Sequence, residues 1–514
     1  MWTEYHNKNG IKKLIMNNIR VTYSGLISLL VGFSSVITGT IFTLIVTRQL
    51  TQDEFGTWGL IGSLVGYVLI TEPIISYWST REIARGKGSA KTAILTSGIF
   101  STASIFVYIG ISFVIAQQTD ANSFSVLFAL ILIPFLFLNK TLTAIIIATK
   151  PQAQGYSFLA FEISKIPAAF ILVYILELGL DGAILATTIS YIPSIIILLK
   201  NAQGIIIGKL KLSLIKKWTK HFWIPGINRS IGFLVSLDVL IFSLITGTVE
   251  GLAFWVAAST ISNIVNHSSK ISVGVYPKLL SGGKQEYIQQ NLNWLFYFGI
   301  PLVAFSIAFA KPGLFTLNPS YEIAYPIVIF LSIRIFSEVL LRLFSNSIIG
   351  TETVDINENS TFKEYVKSKL FKVPIIRIIH YSTYIGSLAI MLFLLGNTSQ
   401  INLVIYWSIL MLGIQIPFTI YFYLQVKKNF SIKINYTNLI KYLLISCIVF
   451  GGIYLLMNEY LEYRIEIMLF LPNLLIFVFG SILVYFGIIY LVDKKTKELF
   501  KNIINEMKNK KTGL

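Results

Sequence analysis

The sequence predicts an all-α integral membrane fold of about fourteen transmembrane helices, and three observations carry that prediction. Hydrophobic residues make up 54% of the 514 and charged residues only 13%, too few to cover a soluble surface. The apolar residues fall into fourteen separate runs, most of them near the roughly 20 residues that cross a ~30 Å hydrocarbon core. The gaps between runs alternate between lysine-rich and lysine-poor.

In chain order the runs are Thr22–Val46, Thr57–Ser79, Thr92–Ala116, Ser123–Thr149, Tyr156–Leu176 and Gly182–Leu199. Then follow Phe222–Gly247, Leu252–Leu279, Leu292–Ala310, Ile323–Gly350, Val373–Gly396 and Leu403–Leu424. The last two are Leu439–Met457 and Ile467–Val492. One set of alternate gaps, with the two ends of the chain and with Lys278 and Lys441 at the adjoining run ends, holds 32 of the 42 Lys and Arg, whereas the other holds only Arg48, Lys311 and Arg464 among ten acids. The positive-inside rule puts the first set, and so both termini, in the cytoplasm. The net charge of +18 therefore belongs to topology and to inner-leaflet headgroups, and nucleic acid is not an expected partner.

Other classes are excluded by what the chain lacks. Cys447 is the only cysteine, so there is no disulfide framework and no CxxC metal site. Residues 1–20 are polar, without the apolar core and small-residue cleavage motif of a signal peptide. The tail from Asp493 to Leu514 reads as a basic helix that either lies on headgroups or is plainly solvated. No HExxH, GxSxG or P-loop occurs in a plausible context. The lysine-poor loops are short, with no acid-x-acid spacing for a metal. The expectation is no enzyme, no catalytic residue, no metal and no cofactor. A membrane-embedded glycosyltransferase or polymerase is the third reading, since it would want clustered carboxylates on a sizeable outer loop.

An internal repeat organises the spans. Glu54-Phe55-Gly56-Thr57-Trp58-Gly59-Leu60 after the first run is answered, 196 positions on, by Glu250-Gly251-Leu252-Ala253-Phe254-Trp255-Val256 after the seventh. Arg85-Gly86-Lys87 is answered by Gly282-Gly283-Lys284 at nearly the same offset. Both pairs fall at the same place in a six-helix unit, so two parallel six-helix lobes plus two extra helices are predicted. The segments are a cytoplasmic N-terminus (1–21), an N-lobe (22–199) and a basic linker (200–221). Then come a C-lobe (222–424), a cytoplasmic loop (425–438), the extra pair (439–492) and a basic tail (493–514).

Thr47-Arg48-Gln49-Leu50 with Glu54-Phe55-Gly56-Thr57-Trp58 resembles the first-loop signature of the polysaccharide-export and Wzx-type flippases. These belong to the multidrug/oligosaccharidyl-lipid/polysaccharide (MOP) superfamily. Thr80-Arg81-Glu82-Ile83-Ala84-Arg85-Gly86 is similar to that family's pattern after its second helix, and Tyr276-Pro277-Lys278 to the end of its eighth. The resemblance implies a MATE-like fold, with the lobes related by a pseudo-twofold along the membrane normal. It also implies alternating access that carries a lipid-linked oligosaccharide or polysaccharide precursor from the inner to the outer leaflet of the cell membrane. Helices one, two, seven and eight would line a cationic cavity. The implied partners are a polyprenyl or dolichyl phosphate or diphosphate carrier and membrane lipids, for a monomer working beside polysaccharide-assembly proteins. The alternative within the superfamily is a cation-coupled exporter of small amphipathic compounds.

Charges inside the runs supply the candidate site, because each costs roughly 2.5–3.5 kcal/mol at mid-membrane unless it meets water or a partner. The eighth run carries Ser259, Ser262, Asn263, Asn266, His267 and Lys270 at three-to-four-residue spacing, one helix face. Two readings stand: a wet cavity with amides for sugar hydroxyls and Lys270 for phosphate, or polar contacts between helices. Arg229 is a candidate phosphate ligand and Asp238 a candidate ion or proton site. Nine residues apart, they point to opposite sides of a straight helix and share a cavity only if it bends, as near Gly232. Glu72 beside Pro73, Arg81 and Arg48 complete the substrate-binding candidates, with anchoring as the alternative for Arg81. Arg334, Glu338 and Arg342 at i, i+4, i+8 predict an ion-pair ladder. Arg377 and His380 read as interface anchors, Glu162 and Lys165 as a pair, and Lys140 as structural or interfacial.

Overall fold

The computed structural model describes residues 38–84, 88–149, 152–206, 210–220, 222–272, 286–352, 354, 362–430, 432–493 and 496–497. Among them every regular element is helical. The first spanning helix, α1, is described over residues 38–49. Next are α2 (Gln52–Val68, then Glu72–Ala84), α3 (Ala90–Gln118), α4 (Ser123–Phe128, then Leu132–Ile147), α5 (Gln152–Ala169) and α6 (Gly179–Ile206). The second set is α7 (Trp223–Thr246), α8 (Glu250–Ser262), α9 (Glu286–Ala308), α10 (Tyr325–Ile349), α11 (Lys369–Leu395) and α12 (Gln400–Phe430). The extra pair is α13 (Tyr436–Tyr460) and α14 (Ile467–Val492).

Ten of these are long and apolar enough to cross a membrane. The other four fall short of that description for visible reasons. Only part of α1 is described, α8 carries Ser262, Asn263, Asn266 and His267, α10 carries Arg334, Glu338 and Arg342, and the fully described part of α7 is Ser230–Thr246. The basic linker is partly ordered: Leu212–Lys220 forms a short helix whose Trp218 is buried with Ile75 and Ala93. Its Lys217 meets Glu82 at 3.2 Å.

The repeat shows in the helices themselves. α2 tightens into a 3₁₀ turn at Leu69–Thr71, just before Glu72-Pro73, and α8 into a longer 3₁₀ stretch at Asn263–Ser272. Shifted by the 196-residue offset, the first break falls inside the second. A 3₁₀ stretch inside a span winds more tightly with poorer hydrogen bonds, which makes it a natural place to bend.

Apolar packing forms separate clusters. At the lysine-poor end one core includes both lobes: Phe55, Leu60, Leu64, Tyr108, Ile133 and Ala183 pack in it with Leu252, Ala257, Leu314, Leu331, Tyr384 and Leu403. Two further clusters each stay on one side of the molecule. Leu142, Ile145, Ile146, Ile195 and Leu198 form one cluster within the N-lobe. Leu341, Phe344, Val373, Phe422 and Val426 join α9, α13 and α14 in another. Single helices contribute to both levels: α6 gives Leu180–Ala186 to the shared core and Ile195–Ala202 to the N-lobe cluster. Among the described residues the lobes thus share one apolar core at the lysine-poor half, and no apolar cluster joins them at the other.

Glycines make the joint close. An added Cβ on Gly56 would stand 2.1 Å from the carbonyl oxygen of Val249, and one on Gly59 2.4 Å from a Val256 methyl. The two repeated segments therefore face each other, α2 against α8, across the pseudo-twofold.

Candidate functional site

Polar bonds reinforce the joint. Thr47 donates its hydroxyl to the Leu317 carbonyl at 2.9 Å, and the Asn318 amide donates to the Thr47 carbonyl at 3.1 Å. Arg48 donates to the carbonyls of Thr316 (3.0 Å), Phe315 (3.0 Å) and Ile465 (2.9 Å). The first two end the short helix Ala310–Leu317, whose last carbonyls lack partners of their own and carry partial negative charge. The third lies in the α13–α14 loop. Arg48 is thereby placed at the joint rather than in the polar cavity described next. Between the α3–α4 and α7–α8 loops, Asp120 accepts from the Val249 amide at 2.9 Å and donates its own amide to Gly247 at 3.3 Å.

In the lysine-rich half of the N-lobe is a cavity of ≈ 690 Å³ between α2, α4, α5 and α6. Its cations are Arg81 and Lys140 and its acid is Glu72. Asn139, Gln154, Ser157, Thr80, Thr143 and Ser194 supply amides and hydroxyls. Some are already ordered: Asn139 donates to Ser194 at 2.7 Å, Ser76 donates to Glu72, and Arg81 donates to the Tyr77 hydroxyl at 2.6 Å. The cavity follows from local sequence. The break at Leu69–Thr71 re-aims the second half of α2, and Glu72, Ser76 and Thr80 then recur every four residues toward α4.

The C-lobe holds a second charged cluster. Buried Glu338 accepts from Arg377 at 2.9 Å, from the Tyr381 hydroxyl at 3.1 Å and from the Gln415 amide at 3.1 Å. Arg342 approaches it at 3.8 Å and donates to Asn266 on α8 at 2.6 Å. Arg334 lies one turn away on α10. Three guanidinium groups therefore surround one carboxylate, and Arg342, 38% exposed in its side chain, is the open edge. A third network is buried. Trp407 donates to the Tyr384 hydroxyl at 2.6 Å, which donates to Asp238 at 3.0 Å, while Trp407 stacks on Trp255 at 3.7 Å.

Several expectations change. The ladder along α10 keeps its Glu338–Arg342 rung at 3.8 Å but is part of a cluster across helices, in which Arg377 meets Glu338 more closely at 2.9 Å. Arg377 and His380 are interior, not interface anchors; His380 is buried and stacks on Phe418 at 4.4 Å. Glu162 accepts from Thr38 at 2.9 Å and Lys165 lies 3.9 Å from the centre of the Phe42 ring, so each of the two paired charges has a further partner. Lys140 lines the cavity instead of serving structure alone. The stripe on α8 does not run down one α-helical face, because the backbone turns 3₁₀ from Asn263. Ser262 is buried, bonding to Ala258, Asn263 is exposed, and Asn266 is held by Arg342. α7 is unbroken through Gly232. The side chains of Arg229 and Lys270 lie outside the described residues, as do most of the first run and nearly all of the basic tail.

What sequence reasoning missed are partnerships between distant helices, Arg377 with Glu338 and Tyr384 with Asp238, and the place of Lys140 in one cavity with Arg81. The available signal was polarity within apolar runs, which marked each residue but not its neighbour.

No family model and no curated protein matches the chain. Solved structures do. An inward-facing multidrug-resistance MATE family transporter of the MOP superfamily is 13% identical, with a TM-score of 0.60 over 77% of this chain and 95% of that one. The lipid II flippase MurJ, in an inward closed conformation, is 15% identical, with a TM-score of 0.60 over 90% and 99%. An outward-facing MATE transporter is 13% identical, with a TM-score of 0.54 over 80% and 96%. With its apolar helices and this likeness, the chain is a multi-pass membrane protein with the fold shared by MATE transporters and the MurJ flippase of the MOP superfamily.

Proposed function

We propose that this protein is an alternating-access flippase for a lipid-linked oligosaccharide or polysaccharide precursor, with an anionic phosphate or diphosphate between sugar and lipid. The observation that carries the reading is the polar cavity. In the lysine-rich half of the N-lobe it offers two cations for phosphate and a set of amides and hydroxyls for sugar. Guanidinium and ammonium groups hold phosphate by charge-assisted hydrogen bonds, and the neutral groups suit sugar hydroxyls. Arg229 and Lys270 are the further candidates on α7 and α8 for the same phosphate.

The lysine-rich end is cytoplasmic by the positive-inside rule. The headgroup enters there while the chain stays in bilayer. Release requires the shared core to open and the other half to close, with the 3₁₀ breaks in α2 and α8 as the bending points. Rocking alone gives no net transport, so a driving force is needed, such as consumption of the product outside or an ion gradient. Asp238, on Tyr384 at the centre of the shared core, is the candidate coupling site. The membrane is the cell membrane, and no chemical step on the cargo is required.

The cation-coupled drug exporter is the competing reading within the same fold. A binding measurement separates them: a short-chain polyprenyl diphosphate sugar should raise the thermal midpoint of the detergent-solubilised protein by mass action. The same ligand should leave the Arg81→Ala/Lys140→Ala variant unshifted. Stabilisation by small organic cations but not by the diphosphate sugar would contradict the proposal.

A further inference from the structure

Away from the polar cavity, on the outer flank of the C-lobe, α9, α10 and α13 enclose a groove of ≈ 620 Å³. Its walls are almost wholly apolar, with Phe296 and Ile300 from α9, Ile329 and Ile333 from α10, and Leu443 and Phe450 from α13. The polar exceptions are unevenly placed. Lys311, Tyr325 and Tyr454 line its lysine-poor mouth, whereas only Ser446 and Cys447 lie further in.

Of the three basic residues at the lysine-poor end, two are engaged. Arg48 holds three carbonyls and Arg464 is 2.6 Å from Glu462. Lys311 makes no ion pair among the described residues. Its ammonium stands 5.0 Å from the centre of the Tyr325 ring, over the groove mouth. An apolar slot with a cation at one end is complementary to a lipid chain carrying an anionic head. Depth selects the kind of lipid. All three helices line the groove along the stretch from Tyr325 to Phe336 on α10, about 16 Å of helix. That matches one leaflet's half of a ~30 Å hydrocarbon core.

We infer that this groove is a binding site for an anionic phospholipid of the leaflet at the lysine-poor end, with one acyl chain between α9, α10 and α13 and its phosphate on Lys311. The site is separate from the polar cavity and does not depend on what the protein transports. It seals α13 against the C-lobe where the helices leave a gap.

The test is native mass spectrometry of the full chain released from mixed vesicles of phosphatidylglycerol and phosphatidylcholine. Phosphatidylglycerol should be retained preferentially. Lys311→Gln should lower its retention about fivefold, the effect of one cation near a headgroup, and leave phosphatidylcholine unchanged. Cys447→Trp, which fills the groove without touching the cation, should lower retention of both. A monodisperse elution profile and an unshifted thermal midpoint in lipid-free detergent certify folding of either variant. Equal retention of the two lipids, or retention indifferent to Lys311→Gln, would overturn the inference. So would displacement of phosphatidylglycerol by a polyprenyl phosphate at equal concentration, which would give the groove to the carrier lipid.

Discussion

Replacing Gly56 by alanine should open the lysine-poor joint. The new Cβ would lie 2.1 Å from the Val249 carbonyl oxygen and 2.9 Å from its carbon. Carbon–oxygen contacts of that kind relax at about 3.3–3.6 Å, so α2 and α8 must separate by more than an ångström. The atoms met are backbone, which cannot rotate away. Overpacking of this kind costs about 1–3 kcal/mol, and it falls only on the state in which the two helices touch. The gain in helix propensity from Gly to Ala, up to about 1 kcal/mol, is present in both states and cancels. A bias of 1–3 kcal/mol shifts a two-state equilibrium about 5- to 150-fold. Spin labels at Gln118 and Glu250, both exposed, would flank the seam in a Cys447→Ser background. Double electron–electron resonance should show the short-distance population giving way to a longer one in Gly56→Ala. A distance distribution identical to that of the parent would refute the reasoning.

The remaining predictions concern charge. Arg48→Gln removes three guanidinium–carbonyl bonds, so the same labels should report partial opening, while binding of a diphosphate sugar is retained. Glu338→Gln leaves the guanidinium groups around it uncompensated and should cost about 3–5 kcal/mol, read as a large fall in thermal midpoint in detergent. Asp493 just beyond α14 is raised by burial but more strongly lowered by the bond from Lys441 and those from Thr496, so its carboxyl lies below the ordinary value. A depressed carboxylate stabilises the fold above its unfolded pKa of about 3.9. That contribution fades as pH falls through the lower folded value. Asp493→Asn should therefore lower the thermal midpoint at neutral pH, and the gap to wild type should narrow in strong acid.

Much of the fold was legible because a membrane makes sequence unusually literal. Long apolar runs had to be helices, since lipid satisfies no backbone group, and thirteen of the runs overlap the helices that carry them while only the end of the first is described. The repeat was legible too, through Glu54–Leu60 and Glu250–Val256, although the role of Gly56 and Gly59 as the contact between lobes was not. Positions that depend on helix form were misplaced. The stripe on α8 assumed 3.6 residues per turn, and the 3₁₀ stretch from Asn263 removes that register. Glu72 and Arg81 were singled out and share one cavity, but Lys140 joins them only because α4 packs beside α2. Pairing across α10 and α11 could not be read from one chain, because periodicity fixes a face and not the helix it meets.

The central claim is carriage of an anionic, lipid-linked sugar headgroup across the bilayer. The direct measurement uses vesicles containing the purified protein and a fluorescent polyprenyl diphosphate oligosaccharide, with headgroup exposure followed by an external glycosidase. Protein-dependent exposure should occur, fall at least tenfold in Arg81→Ala/Lys140→Ala, and persist in Lys311→Gln. No protein-dependent exposure of the sugar, together with proton- or sodium-driven efflux of small organic cations from the same vesicles, would contradict the account.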